Sequence, residues 1–565
     1  MLDNMDLMNY CVVMHIVENQ SAPKTGKKIY RSILLRESYR EGGKVKKRTI
    51  ANLSHCTAGE IAAIKLALRH KEDLSVLGSL KESVELQEGL SVGAVWAVYQ
   101  VGKRLGLEKA LGTDFEGKLA FWQVMARVID QGSRLSAVRL AQTHGACDVL
   151  EMVRGFDENN LYDNLRWLAD HQEEMERRLF VIRRGKAKPQ LFLYDVTSSY
   201  LEGEKNYFGA YGYSRDGKKG KQQIVIGLLC DEYGDPVAVE VFSGNTQDTR
   251  TFGSQVKKVA EGLGCQEVTF VGDRGMIKST QIENLPEGFH YITAITKPQI
   301  ERLIKKGLIQ IGLFDEKVCE VEEAGIRYIL RRNPVRVEEM EKSRLSKRRA
   351  LEKFVGEKNV YLSEHPRAKV STALEKVKSK IKLLRQEKWL SVKAQERQLS
   401  LEQDDTVLKE ESLLDGCYVI KTDLAKEVAD KQLVHDRYKD LAEVEKAFRD
   451  CKTEILEVRP VFVRSEKSTR GHVLVVMLAY MIIRKLREAW AALDTTVQEG
   501  LNQLSTLCSM EVKVKDHGSC IKIPRPREKS RELLKTLDVR MPTVLPHREV
   551  RVVTRKKLPE QRRMP

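Results

Sequence analysis

The sequence predicts an α/β protein of several domains, a mixed sheet flanked by helices that follows a small β-hairpin module and a helical domain. Three observations predict it. The 565 residues exceed what a single core organises. Residues 59–185 carry apolar positions three and four apart. Short apolar runs broken by turn residues then recur between positions 191 and 295. The changes of period divide the chain into a hairpin module (1–58), a helical domain (59–185), the first part of a sheet domain (186–296), an insertion (297–415), the second part of the sheet domain (416–495) and a basic C-terminal region (496–565).

Taken in order, Ile33-Leu34-Leu35 and Thr49-Ile50-Ala51 flank the turn Glu41-Gly42-Gly43-Lys44, which predicts the hairpin. Helical spacing is clearest over 95–105, 119–128 and 160–179. Strand-like runs follow at 191–194, 224–229, 237–242, 268–271 and 291–295, with helical segments near 251–262 and 279–285. The second and third runs are joined by Asp231-Glu232-Tyr233-Gly234-Asp235-Pro236, turn chemistry that suits an antiparallel hairpin. The insertion holds a β-like stretch (317–330) and then a charged tract from 337 to about 411, which reads as solvated helix faces. Its other reading is an arm that holds DNA, with Arg331, Arg332, Arg336, Lys347, Arg348 and Arg349 on phosphates. Trp389, within it, reads as a packing residue before a base-stacking one. A strand resumes at Cys417-Tyr418-Val419-Ile420, helices continue to about 493, and the tail from 513 reads as extended or partly disordered.

Lys plus Arg number 97 against 80 Asp plus Glu, a formal charge of +17 that favours a polyanionic partner. The hydrophobic fraction of 42% and charged fraction of 31% allow a buried core and exclude a compositionally disordered chain. The ten cysteines are scattered without zinc spacing, so neither a metal finger nor a disulfide framework is implied. Residues 1–20 lack a secretory pattern, and the longest apolar run, 473–483, is too short to span a membrane. The expectation is a cytoplasmic protein with no membrane partner.

Chemistry concentrates in three carboxylates. Asp195 directly follows the run Leu191-Phe192-Leu193-Tyr194, and Asp273 follows 268–271 with only Gly272 between. An acid at a strand end escapes the dry core while its backbone stays rigid, which suits a metal ligand. In the segment 438–452, at about 100° per residue, Tyr438, Leu441, Glu445 and Lys452 share one narrow helical face. Val444, Phe448 and Ile455 form an apolar stripe beside that face. Two hard cations roughly 4 Å apart, bridged by carboxylates, serve phosphodiester cleavage by activating a nucleophile and stabilising a leaving oxygen.

These residues resemble the bacterial insertion-sequence DDE transposases of the superfamily whose third motif reads Tyr-Arg-Glu-Lys. The resemblance covers roughly 186–485. It rests on Tyr194-Asp195-Val196-Thr197-Ser198 with Tyr211-Gly212-Tyr213-Ser214-Arg215-Asp216-Gly217-Lys218, on Phe242-Ser243-Gly244-Asn245-Thr246-Gln247-Asp248 with Val271-Gly272-Asp273-Arg274-Gly275-Met276, and on Tyr438, Glu445 and Lys452 with Ala447-Phe448-Arg449. It implies a ribonuclease-H-like core with Asp195 on the first strand, Asp273 after the fourth and Glu445 on a late helix, interrupted by a largely β subdomain. It also implies two Mg²⁺ ions per site, replaceable by Mn²⁺, held by Asp195, Asp273 and Glu445, with Tyr438, Lys452, Arg449, Arg274 and Thr197 toward the DNA. The implied partners are double-stranded DNA, as terminal inverted repeats gripped in part by the helical domain and as target, and a second copy of the chain. Leu441 departs from the pattern, standing where many members carry arginine and removing one expected phosphate contact. A nuclease of the same fold that cuts without joining, and a catalytically silent DNA-binding relative, are the other readings; the intact carboxylate set argues against the latter.

Overall fold

The computed structural model describes residues 13–21, 30–41, 43–71, 84–184, 191–315, 317–452, 456–458, 463–514, 518–546 and 550–555. Gly42 of the anticipated turn, Ile455 of the anticipated apolar stripe and the anticipated boundary at 185/186 lie outside them. The chain forms two compact units, one of residues 1–89 with 509–524 and one of 90–508 with 525–565.

In the first unit, β1 (Val13–Ser21), β2 (Tyr30–Glu41) and β3 (Lys44–Asn52) make an antiparallel sheet in that order, with Glu41 opposite Lys44 at the turn. Thr57 and Glu60 cap each other's backbone in a capping box and start the helix Ala58–Arg69. A fourth strand, β4 (Val84–Ser91), falls inside the stretch read as all helical. Its hydrogen-bonding partner comes from the far end of the sequence, so no local pattern announces it.

The second unit is built around one helix and one sheet. The helix Glu466–Trp490 is buried along nearly its whole length, including every residue from Val473 to Ile483. A helix apolar on all sides needs neighbours on all sides. It finds them in the helices Phe115–Ile129 and Glu158–Asp170 and in the sheet. Gly471 lets it cross Glu158–Asp170 closely, since a Cβ there would stand 2.0 Å from the Leu165 carbonyl oxygen. Among the described residues no helix is long and apolar enough to cross a membrane.

The sheet has eight strands. Its first five are β5 (Leu191–Tyr200), β6 (Gln223–Asp231), β7 (Pro236–Ser243), β8 (Val268–Gly272) and β9 (Phe289–Ala294). Strands β5, β6 and β7 form an antiparallel meander, with the β6–β7 turn held by the Asp231 carboxylate accepting from the N–H groups of Tyr233 and Asp235. Strand β8 runs parallel to β5 on its other side, and β9 parallel to β8. Phe192, Tyr194, Phe252, Phe270 and Tyr291 fill the core under one face.

The insertion departs from a largely β subdomain. Strands β10 (Cys319–Glu323) and β11 (Ile326–Arg332) extend the main sheet, because Ile329 and Leu330 are fully buried where β11 pairs with the returning chain. What has a core of its own is the helix pair Pro334–Glu364 and Val370–Leu383 with the hairpin β12 (Leu390–Gln395) and β13 (Gln398–Gln403). Trp389 is buried in that core with Leu351 and Val377. The long helix carries its charges as ladders, Arg336 to Glu339, Lys342 to Glu338 and Arg348 to Glu352. The chain rejoins the sheet through β14 (Cys417–Thr422), giving the order β10-β11-β14-β9-β8-β5-β6-β7.

The C-terminal stretch is more ordered than its composition predicts. The helix Val497–Ser505 is followed by β15 (Cys508–Val514) and β16 (Gly518–Lys522), which complete a three-stranded sheet with β4. The helix Glu528–Thr536 then buries Leu533 and Leu534, and Trp490 donates its indole N–H to the Leu533 carbonyl at 3.1 Å. Trp490 is wholly buried. Trp490→Ala is expected to cost about 3–5 kcal/mol, read as a lower urea midpoint for the transition that reports on the second unit; an unchanged midpoint would show that this anchor is dispensable.

Candidate active site

The sheet register brings the two aspartates together. Tyr194 of β5 lies opposite Gly272 of the parallel strand β8. The next residue on each chain is an aspartate, Asp195 and Asp273, so their backbones stand about one strand spacing apart, roughly 4.8 Å. Side chains alternate along β5. Phe192, Tyr194 and Val196 enter the core, which turns Asp195 and Thr197 to the opposite face. Asp195 Oδ1 accepts the Val196 N–H at 2.7 Å, and Asp273 Oδ1 accepts the Arg274 N–H at 2.8 Å. Buried Met276 and Ile277 then pin the turn after Asp273.

The third acid arrives on a helix that covers that face. One continuous helix through 438–452 is not observed: the helix Lys431–Lys439 ends at Asp440, and a second, Leu441–Lys452, begins. Tyr438 therefore does not share a helical face with Glu445 and Lys452. Within the second helix Val444, Ala447, Phe448 and Cys451 are buried, while Glu445 and Arg449 are exposed. Phe448 and Lys452 line one small apolar cavity with Thr197 and Leu228, which sets the helix over the distal half of β5. Glu445 is one turn before Phe448, and Asp195 is two residues before Thr197.

Electrostatics links the three groups. Burial pushes the Asp195 carboxyl up to about 7, and the charges of Asp273 and Glu445 add to the rise, while the Val196 N–H and the Arg215 guanidinium oppose it. Burial also raises the Tyr438 phenol, with Asp273 and Glu445 adding and Arg274 opposing. As placed, no three His, Cys, Asp or Glu side chains among the described residues stand close enough to hold a metal ion. Asp273 and Glu445 are exposed.

The other anticipated residues separate into two groups. Arg274 is exposed at the rim of a cleft of about 560 Å³ that Asp273, Tyr438, Lys297 and Arg336 also line. Arg449 is exposed on the glutamate helix. Thr197, by contrast, is buried under that helix, and Lys452 is tied to Asp216 by a 2.7 Å ion pair with both side chains about four-fifths covered. Neither is presented to a phosphate at the surface, because the helix that brings Glu445 over β5 also shuts them in.

Arg215 and Asp248 border the carboxylates without having been singled out from the sequence. Arg215 donates to both Asp248 oxygens at 2.7 Å, and its backbone N–H donates to Ser198 Oγ at 2.9 Å. A Cβ on Gly275 would lie 3.6 Å from Asp248 Oδ2 and 3.8 Å from Asp273 Oδ2, so that glycine fills the gap between the pair and the second aspartate. Both residues sit inside the motif segments quoted above. Their pairing across 33 positions leaves no trace in a single sequence.

Residues 20–76 match a family described as IS1634 family transposase, N-terminal domain. That span takes in β2, β3 and the helix Ala58–Arg69 of the first unit. No curated protein matches the chain. The similarity supports an insertion-sequence transposase, an enzyme that acts on DNA.

The Lys452–Asp216 pair gives a direct check on the packing of the glutamate helix. Lys452→Met and Asp216→Asn should each destabilise by about 1–2 kcal/mol, and the double variant by less than their sum by about 1 kcal/mol. Strictly additive changes in urea unfolding would mean that the two charges do not interact.

Proposed function

We propose that this chain is a DDE transposase that cuts DNA at the ends of an insertion sequence and joins the freed 3′ hydroxyl to target DNA. One observation carries the reading: Asp195, midway along β5, and Asp273, just past the end of the parallel neighbour β8, stand side by side, and Asp195 responds to both Asp273 and a glutamate on the helix packed above it. The order β7-β6-β5-β8-β9, with the first of these strands in sequence bearing one aspartate and the fourth leading into the other, supports a ribonuclease-H-like core. The match of 20–76 supports the same class from an independent part of the chain.

The donor set suits a hard divalent cation. Asp195 and Asp273 each commit one oxygen to a backbone N–H, and among the described residues their Oδ2 atoms and the Glu445 carboxylate have no protein partner. Oxygen-only ligation of that kind fits Mg²⁺ or Mn²⁺. Two such ions, bound by Asp195, Asp273 and Glu445, would supply activation of the attacking oxygen and neutralisation of the leaving one.

The protein's own groups do the rest. Asp195 is fixed by its strand and by the Val196 N–H, so it would set the position on which the two exposed acids converge. Arg215, held bidentately by Asp248, keeps positive charge beside Asp195 and favours its ionised form. Arg274, at the rim of the cleft, and Arg449, on the glutamate helix, are exposed and would grip phosphates near the reacting bond. Tyr438 walls the cleft along which the strand leaves. Terminal inverted repeats and target DNA are the substrates, two copies of the chain pair two ends, and the reaction belongs to the bacterial cytoplasm where the chromosome lies.

Asp195→Ala, Asp273→Ala and Glu445→Ala should each lower Mg²⁺-dependent nicking of end DNA by on the order of a thousandfold or more, while gel-shift affinity for that DNA stays within about threefold. Strand-transfer products should vanish with nicking. A variant that nicks at the parental rate removes its residue from the site, and nicking without joining by the parent chain would make it a nuclease.

A further inference from the structure

The segment between β5 and β6 displays aromatic rings where a soluble protein normally hides them. Tyr207, Tyr211 and Tyr213 are 67%, 64% and 83% exposed. Their backbone is nonetheless held firmly. Ala210 exchanges both backbone hydrogen bonds with Gln223, and the buried Gln223 amide donates to the carbonyl oxygens of Tyr213 at 3.0 Å and Gly244 at 2.8 Å. Gly212 is pressed against that support, for a Cβ there would meet the Gly244 oxygen at 2.2 Å. Beyond it, Arg215 is clamped to Asp248 and Asp216 to Lys452. The tyrosines thus point outward from a fixed platform rather than from a loose loop.

The company they keep selects the partner. Lys218 and Lys219 follow soon after and are exposed, and among the described residues neither is in an ion pair, whereas of the nearby acids Glu202 and Asp216 are paired with Lys221 and Lys452 and Glu204 is in no ion pair. Val, Leu, Ile and Met, whose side chains would favour a protein partner, are missing from 202–222. The Lys218 ammonium lies 5.8 Å from the Tyr200 ring centroid. Exposed aromatic faces beside lysines outside any ion pair suit a nucleic acid whose bases are open to stacking, since every base offers a π-face and every nucleotide a charge. A duplex hides those faces.

We propose that residues 207–219 form a single-strand platform, on which Tyr211 and Tyr213 stack against unpaired bases of DNA while Lys218 and Lys219 hold its phosphates. Arg215 joins this platform to the carboxylates, so the bound strand would be the one that has come unpaired beside the reacting bond. That last step rests on the transposase reading; the binding itself does not.

The test uses the full chain in EDTA, so that cleavage plays no part, with a fluorescent 20-nucleotide oligothymidylate and a duplex of the same length as probes. Tyr211→Ala and Tyr213→Ala should each weaken single-strand binding about tenfold, with duplex affinity within about twofold and melting temperatures unchanged. Tyr211→Phe and Tyr213→Phe should bind like the parent, and Lys218→Ala with Lys219→Ala should flatten the salt dependence. Unchanged single-strand affinity in both alanine variants, or an equal loss on single strand and duplex, would overturn the platform. A parent chain that binds as described yet never cuts end DNA would instead sink the transposase reading and leave the platform standing.

Discussion

Everything in the candidate site depends on one register, Tyr194 of β5 against Gly272 of β8. A slip of one residue in this parallel pair would turn one aspartate into the core and the other away from it. The register is secured from below. Phe192, Tyr194 and Phe270 are wholly buried and pack on Phe252, whose ring meets Phe270 edge to face at 5.3 Å. Side chains of that size cannot exchange places with a carboxylate, so burial of the aromatic face and placement of Asp195 on the opposite one are the same constraint.

A second layer of order follows from the helix Glu466–Trp490. It packs on β7 and on the helix Leu441–Lys452 as well as on the helical domain, so the element that carries Glu445 is wedged between sheet and core helix. The insertion is attached through the same sheet: β11 and β14 pair side by side, and the cleft beside Asp273 is walled by the start of the long helix at Asn333 and Arg336. Strand extension, in place of a separate β subdomain, ties the position of that wall to the edge of the sheet that bears the aspartates.

The sequence was most legible where structure is local. The turn at 231–236, the short strands and the helix periods are all written in neighbouring residues, and Asp195 and Asp273 stand out because each follows an apolar run. The illegible parts are those settled by distant partners. Strand β4 exists through pairing with β15, some 400 residues later. The helix break at Asp440 interrupts a pattern whose periodicity looks unbroken on a wheel, so the wheel places Tyr438 on a face it does not share. Lys452 and Thr197 have the composition of phosphate ligands, yet the packing of the glutamate helix covers both, and Asp216 takes the lysine's charge. Arg215 and Asp248 reach each other only when the β5–β6 loop folds against the start of the helix Asp248–Lys257.

The central claim is that Asp195, Asp273 and Glu445 close on shared divalent ions. Crystals of the chain with end DNA and Mn²⁺, read by anomalous scattering, test it most directly. The account predicts metal peaks within about 2.2 Å of oxygens from all three residues. Peaks held by other side chains, or a loaded pair of aspartates with Glu445 still turned to solvent, would contradict it.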